Sequence, residues 1–120
     1  MISKFGLIVR KLRKKNGDTL STLSKQLDIS LPYLSSMEVG RRIIPIRVIE
    51  KIRDIYQLNE DEYDELYKAT LETNQYVDIE LSKMNEAQKE VSIAFARKIE
   101  QADPDLIEKL RKVLMENDKD

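Results

Sequence analysis

The sequence predicts an all-α protein, in which a five-helix domain is followed by a C-terminal helical hairpin. Apolar residues recur at helical spacing along almost the whole chain of 120 residues. Only three glycines and three prolines interrupt this pattern. The apolar share of 41% is enough for a modest core, and the charged share of 36% predicts a strongly solvated surface. At this length we expect one compact domain, or a small domain with an appendage.

Three short helices are expected in the first forty residues, and each follows a hydroxyl-bearing cap: Ser3, Thr19 or Ser30. The dipeptide Asp28-Ile29 separates the second helix from the third. Helices of about eight residues are not stable alone, so apolar side chains must hold this pair against the first and fourth helices. The side chains expected to do so are Leu23, Leu27, Ile29, Leu34 and Met37.

Two further helices complete a first domain predicted to span residues 1–72. Pro45 opens the fourth helix, and Asn59 with Glu62 three residues later is the pattern of a capping box for the fifth, roughly residues 60–72. Apolar and polar residues then alternate, which indicates an extended linker over residues 73–84, with a short strand as a second possibility.

Residues 85–117 are predicted to form two amphipathic helices joined by a tight turn at Asp103-Pro104. This hairpin has more apolar surface than so small a pair can bury within itself, and we expect it to form a homodimer. In the alternative, it packs only onto its own first domain. A regulatory protein that competes with dimerisation is a further possible partner. The dimerisation candidates are Phe95, Ile99, Leu106, Leu110 and Val113.

Composition argues against an enzyme. Neither cysteine nor histidine occurs, so disulfides, thiolate metal sites and the commonest general base are excluded. The acidic run Glu60-Asp61-Glu62 is typical of the first turn of a helix rather than of a catalytic site. We expect no catalytic residue, metal or cofactor. The N-terminal apolar patch of five residues is too short for a signal peptide or membrane span, which predicts a soluble, cytoplasmic protein.

The net charge of −1 conceals two halves of opposite sign. Residues 1–58 contain 12 Lys/Arg against 5 Asp/Glu, a net charge of +7, and residues 59–120 contain 9 against 17, a net charge of −8. A basic half is suited to a polyanionic partner, which the acidic half disfavours. Chance segregation of solvated charge is the alternative explanation.

Residues 19–42, TLSTLSKQLDISLPYLSSMEVGRR, have the spacing of a helix-turn-helix. This stretch resembles the XRE, or lambda-repressor-like, family, and the resemblance covers roughly residues 3–70. It implies a five-helix lambda-repressor-like DNA-binding domain. Two positions depart from the family pattern: Ser24 replaces a small Ala, and Asp28 replaces a turn Gly. The matching residues are Thr19, Leu20, Leu23, Leu27, Ile29, Ser30, Tyr33, Leu34, Ser35, Met37, Glu38, Gly40 and Arg42.

The resemblance implies that the helix after Ser30 is a recognition helix that enters the major groove of DNA. The candidates for reading bases are Leu31, Pro32, Tyr33, Ser35 and Ser36. The candidates for phosphate contacts are Thr19, Ser21, Arg41, Arg42 and Arg47. In the alternative reading, Tyr33 packs at the rim of the helix and Ser35 fills a turn. The resemblance also implies a structural ion pair between Arg13 and Glu38, which orients the recognition helix.

These features together favour a sequence-specific regulator that binds double-stranded DNA. A dimeric repressor that occludes a promoter is the expected form, because no ligand-sensing or catalytic domain is apparent. An antitoxin-like autoregulator is a subtype that remains open. The alternative is a protein–protein module on a helix-turn-helix scaffold that sequesters a partner. It is motivated by the recognition face, residues 31–36, which lacks Arg, Lys, Gln and Asn.

Overall fold

A computed structural model describes residues 1–117 of the chain, and over that range every regular element is a helix. The predicted all-α class is therefore confirmed. The chain divides into two compact units, Met1–Val77 and the residues from Asp78 onward. The first unit contains α1 (Lys4–Lys15), α2 (Leu20–Gln26), α3 (Leu31–Glu38), α4 (Ile46–Tyr56) and α5 (Glu60–Asn74). The second contains α6 (Glu86–Lys98), a 3-10 helix (Ile99–Gln101) and α7 (Pro104–Asn117).

The helices begin where their sequence caps place them. The hydroxyls of Ser3, Thr19 and Ser30 each accept a hydrogen bond from a backbone N–H three residues later, at 3.0, 3.0 and 3.2 Å. Asn59 and Asn85 open α5 and α6 with complete capping boxes. Each cap satisfies a backbone donor that has no partner inside its helix, which is why these starting points are fixed locally.

The first unit has one hydrophobic core, to which all five helices contribute. The short helices α2 and α3 supply Leu23, Leu34 and Met37 to it, and all three side chains are fully buried. This burial holds each short helix in place, since neither has enough internal hydrogen bonds to persist alone. The remaining core residues are Phe5, Val9, Leu27, Ile44, Val48, Ile49, Ile52 and Leu66.

The first helix clamps the end of α3. Ser3 donates hydrogen bonds to the Glu38 carbonyl oxygen from its backbone N–H at 2.9 Å and from its hydroxyl at 2.8 Å. The Arg13 guanidinium donates to both carboxylate oxygens of Glu38, at 3.2 and 3.3 Å. The two side chains are only 12% and 6% exposed, so the implied ion pair is formed and is largely buried. A Cβ at Gly6 would overlap the Glu38 carbonyl oxygen, so this close approach requires glycine.

The turn between α2 and α3 has the left-handed backbone conformation expected of a glycine position, although Asp28 occupies it with φ = 57°. The Ile29 N–H donates to the Ser24 carbonyl at 3.0 Å, and the Asp28 N–H donates to the Lys25 carbonyl at 3.1 Å. These two bonds are the Schellman pattern that closes a helix C-terminus. Ser24 is buried, as its replacement of a small residue predicts.

Helix α5 continues to Asn74, two residues beyond the predicted end, so the expected extended linker does not begin at residue 73. The reason is tertiary. The Asn74 side chain accepts from the Ile44 N–H at 2.8 Å and donates to the Ile44 carbonyl at 3.0 Å. The Thr73 hydroxyl accepts from the Phe5 N–H at 3.3 Å. Residues 76–81 form neither helix nor strand, so the short strand considered for this segment is not present.

We predict that Glu38→Ala lowers the free energy of unfolding by about 3 kcal/mol, because it leaves the buried Arg13 guanidinium without its partner. Urea denaturation followed by circular dichroism measures this change. Glu72→Ala is the matched control: Glu72 also pairs with a basic side chain of α1, Lys4, but that pair is exposed and screened by solvent, so we expect its loss to have a much smaller effect on the free energy of unfolding. An equal loss in the free energy of unfolding for the two variants would contradict the stabilising role of the buried Arg13–Glu38 pair.

We also predict that Asp28→Gly raises the free energy of unfolding by about 1 kcal/mol. A residue with a Cβ is strained in the left-handed region that Asp28 occupies, and glycine is not. The same denaturation experiment tests this, with Asp54→Gly, inside α4, as a control that is expected to destabilise. A loss of stability in Asp28→Gly would show that the aspartate side chain supports the turn.

Candidate nucleic-acid interface

The outward surface of α3 consists of the five residues that the sequence analysis assigned to base reading. Leu31 is 42% exposed and Pro32 is exposed, whereas Tyr33, Ser35 and Ser36 are half-buried. Leu34 and Met37, on the opposite side of the helix, are fully buried. The helix therefore has one side anchored in the core and one side accessible. Tyr33 is partly buried and packs against the core, which is compatible with the alternative interpretation of this residue as a rim side chain, and its role in base reading stays a prediction.

The loop after α3 is held in place at both ends. Gly40 has φ = 77°, and the Arg41 N–H donates to the Ser36 carbonyl at 2.9 Å, which folds the chain back at the helix end. Further along, Ile44 is buried and its backbone is bound by Asn74. Arg41 and Arg42 are exposed between these two anchors. The predicted phosphate candidate Arg47 is exposed in the first turn of α4.

Arg42 lies against the outward surface of α3. Its guanidinium carbon is 5.6 Å from the centre of the Tyr33 ring, within cation–π range. Both residues line a shallow groove together with Ser30, Pro32 and Ser36. From the sequence, Arg42 is predicted to contact phosphate, and no contact between Arg42 and Tyr33 is predicted. The two residues are nine positions apart and meet only because the chain reverses at Gly40, for which the sequence has no pairing signal.

Thr19 and Ser21 lie at the start of α2. The Thr19 hydroxyl accepts from the Thr22 N–H and shares a 2.9 Å hydrogen bond with the Thr22 hydroxyl, so it is occupied in capping the helix. Ser21 is half-buried, and its carbonyl accepts from the Ser24 hydroxyl at 2.8 Å. Their predicted contacts with phosphate stay predictions.

The acidic groups nearest to α3 in sequence differ in their surroundings. The Glu38 carboxylate is turned inward and paired with Arg13, whereas Asp28, in the turn before α3, is exposed. At the start of α2, the Asp18 carboxylate accepts from the Tyr56 hydroxyl at 2.9 Å. Burial and this hydrogen bond raise the pKa of Tyr56 above its usual range. In the turn before α3 and in the loop after it, the exposed charged side chains are those of Asp28, Arg41 and Arg42.

The second unit has no buried residue among the residues that the structure describes. Its α6, 3-10 helix and α7 form a groove of about 240 Å³, lined by apolar side chains and Lys98. Four of the five dimerisation candidates lie in this lining: Phe95, Ile99, Leu106 and Leu110. Val113 does not belong to the groove and is 59% exposed.

Residues 1–117 contain neither a cluster of metal-ligating side chains nor a helix that could span a membrane. In that range no three acidic side chains come together in a way that could hold a metal ion. Over the same described residues, no helix has the length and apolar character needed to cross a membrane.

Comparison with known proteins identifies the first unit. A family model described as helix-turn-helix matches residues 9–63, a range that includes α2, the turn at Asp28 and α3. Neither the curated proteins nor the solved structures contain a match to the chain. Residues 9–63 belong to the helix-turn-helix family of the XRE, or lambda-repressor-like, type, which is a family of DNA-binding regulators.

Proposed function

We propose that this protein binds a specific double-stranded DNA sequence and represses transcription as a dimer, by occluding a promoter. The observation that carries the proposal is the anchored recognition helix. Its inner side is fixed by Leu34 and Met37, its C-terminal end is clamped through Glu38, and its outer side is accessible. A helix fixed in this way is suited to a major groove about 12 Å wide, because the positions of its side chains do not have to be ordered on binding.

Exposed basic residues beside this helix supply the sequence-independent part of binding. Arg41, Arg42 and Arg47 are accessible, and residues 1–58 have a net charge of +7. Contacts between arginines and phosphates release condensed counterions, so they contribute affinity that weakens as salt increases. They also set the register of the protein on the duplex without reading its sequence.

The hairpin supports the dimeric form of the proposal. A single headpiece makes few contacts, whereas two headpieces on half-sites about 34 Å apart double them. Phe95 remains 38% exposed and Leu106 remains 41% exposed, and both line the apolar groove. Burying this groove against the same groove of a second copy removes apolar surface from water on both chains. The arrangement joins two DNA-binding units in one assembly.

We predict that full-length protein selects a palindromic site from random duplex DNA. With about six phosphates neutralised per dimer, affinity for that site is expected to fall about 10³-fold between about 50 mM and about 200 mM salt. Selection followed by sequencing, and titration of the selected duplex by fluorescence anisotropy, measure these two properties.

The alternative function gives a different result in the same experiment. A protein–protein module on this scaffold binds DNA weakly and without sequence preference, so no site is enriched. Enrichment of a single half-site without a palindrome would retain DNA recognition but contradict the dimer. Selection by a variant with Arg41 and Arg47 both changed to Ala serves as the control for charge: we expect the same site with lower affinity.

We predict that Phe95→Asp with Leu106→Asp weakens self-association of the full-length protein by at least about 100-fold, because two carboxylates would have to be buried in the groove. Sedimentation velocity over a concentration series measures this. Ile93→Asp is the control, since Ile93 is 49% exposed on the same helix but does not line the groove. A double variant that associates as the unchanged protein does would remove the hairpin from the dimer interface.

A further inference from the structure

We propose that Arg42 reads a guanine in the major groove, with the Tyr33 ring as the platform that positions its guanidinium. This inference rests on the proposed function and assigns its chemistry: the DNA site contains a G·C pair in each half-site, recognised from the loop after α3 rather than from the helix. Arg42 is then a specificity-determining residue, and Tyr33 is a positioning residue.

The first observation is what the outward surface of α3 lacks. Its polar side chains are the hydroxyls of Tyr33, Ser35 and Ser36, and a hydroxyl can accept or donate to several bases. Strong discrimination in the major groove comes from side chains that make two hydrogen bonds to one base, as Arg does with the O6 and N7 atoms of guanine. The surface of α3 contains no such side chain within residues 31–36.

The second observation is that a guanidinium nevertheless lies on this surface. Arg42 lines the same groove as Ser30, Pro32 and Ser36, with its guanidinium carbon 5.6 Å from the centre of the Tyr33 ring. Its neighbour Arg41 is exposed but does not line the groove. One of the two consecutive arginines is thus directed along the recognition helix, and we assign base reading to that one.

The third observation is that the platform and the loop are both immobilised. The Tyr33 ring packs partly against the core, which fixes its position. The loop that carries Arg42 is held by the bond from the Arg41 N–H to Ser36 and by the two bonds between Ile44 and Asn74. A long side chain held between fixed points loses less conformational freedom when it binds a base, so more of its hydrogen-bond energy appears as affinity.

The chemistry of the contact leaves Arg42 free to bind. A cation–π interaction is an electrostatic attraction between the cation and the face of the ring, and it does not require the five N–H groups of guanidinium as conventional hydrogen-bond donors. The donors that match the O6 and N7 atoms of guanine therefore stay available while Tyr33 holds the side chain. Lysine has the same charge, but its donors are not a rigid planar pair and it does not stack on the ring in the same way. Replacement by lysine therefore weakens a bidentate contact with guanine more than it weakens a contact with phosphate.

The test measures affinity of full-length variants for the selected duplex and for a set of duplexes with each base pair of the half-site replaced in turn. We expect the unchanged protein to lose about 10- to 100-fold in affinity when one particular G·C pair is replaced. Arg42→Lys is expected to weaken the preference at that pair, because lysine lacks the rigid planar donor pair, while it retains the preferences elsewhere and the dependence on salt. Arg41→Lys is the matched control and is expected to keep the preference at every pair.

Tyr33 is tested by two replacements in the same assay. Tyr33→Phe preserves the aromatic ring and is expected to preserve the guanine preference, whereas Tyr33→Leu is expected to reduce it by about 2- to 5-fold. Thermal melting of both variants shows whether either replacement destabilises the fold. A merely structural role for Tyr33 would lower the affinity for all duplexes equally, whereas a positioning role lowers it at the guanine alone.

Several outcomes would overturn the inference while leaving the proposed function intact. A selected site without a conserved G·C pair is one, and a uniform loss of affinity across all duplexes in Arg42→Lys is another. An equal loss of preference in Arg41→Lys would show that the two arginines are equivalent and that the contact with Tyr33 does not select between them. Failure to select any site would instead count against the proposed function itself.

Discussion

The position of the recognition helix depends on the contact between Glu38 and the first helix. Ser3 binds the Glu38 carbonyl, Arg13 binds its carboxylate, and Gly6 allows the two backbones to approach. Ser3 caps α1, and Gly6 and Arg13 lie within it two turns apart, so a single helix determines where α3 ends. Because α3 has only eight residues, fixing its end and burying Leu34 fixes the whole helix and the surface that it exposes.

Features that depend on neighbouring residues could be predicted from the sequence pattern. Contacts between distant residues could not, apart from the Arg13–Glu38 pair that the family resemblance implies. The caps at Ser3, Thr19 and Ser30 are local hydrogen bonds and were predicted correctly. The end of α5 was predicted two residues too early, because it is extended by bonds from Asn74 to Ile44, thirty positions away. The alternation of apolar and polar residues predicts an extended segment from residue 73. The contact between Asn74 and Ile44, which has no sequence pattern, keeps the chain helical to residue 74.

In the candidate site, too, some features follow from the local sequence and others depend on the path of the chain. The residues on the outward surface of α3 follow from helical periodicity, since Leu34 and Met37 had to face the core. The proximity of Arg42 to Tyr33 depends on the direction in which the chain leaves the helix at Gly40, and this direction is set by a left-handed backbone angle. A glycine at a helix end indicates a turn, but not which side chains the turn brings together.

The amide of Asn74 gives the end of α5 an influence on the surface that carries the arginines. Its two bonds to Ile44 hold the loop of residues 40–45, and the helix stops at the next residue, Gln75, whose φ is 62°. Helices lose their terminal turns more readily than their interiors. Fraying of this terminus would break the two hydrogen bonds to the Ile44 backbone and make the loop that carries Arg41 and Arg42 more mobile. Under the proposed function, the contacts of Arg41 and Arg42 with DNA would thus depend on whether the last turn of α5, at the far end of this hydrogen-bonded connection, is formed.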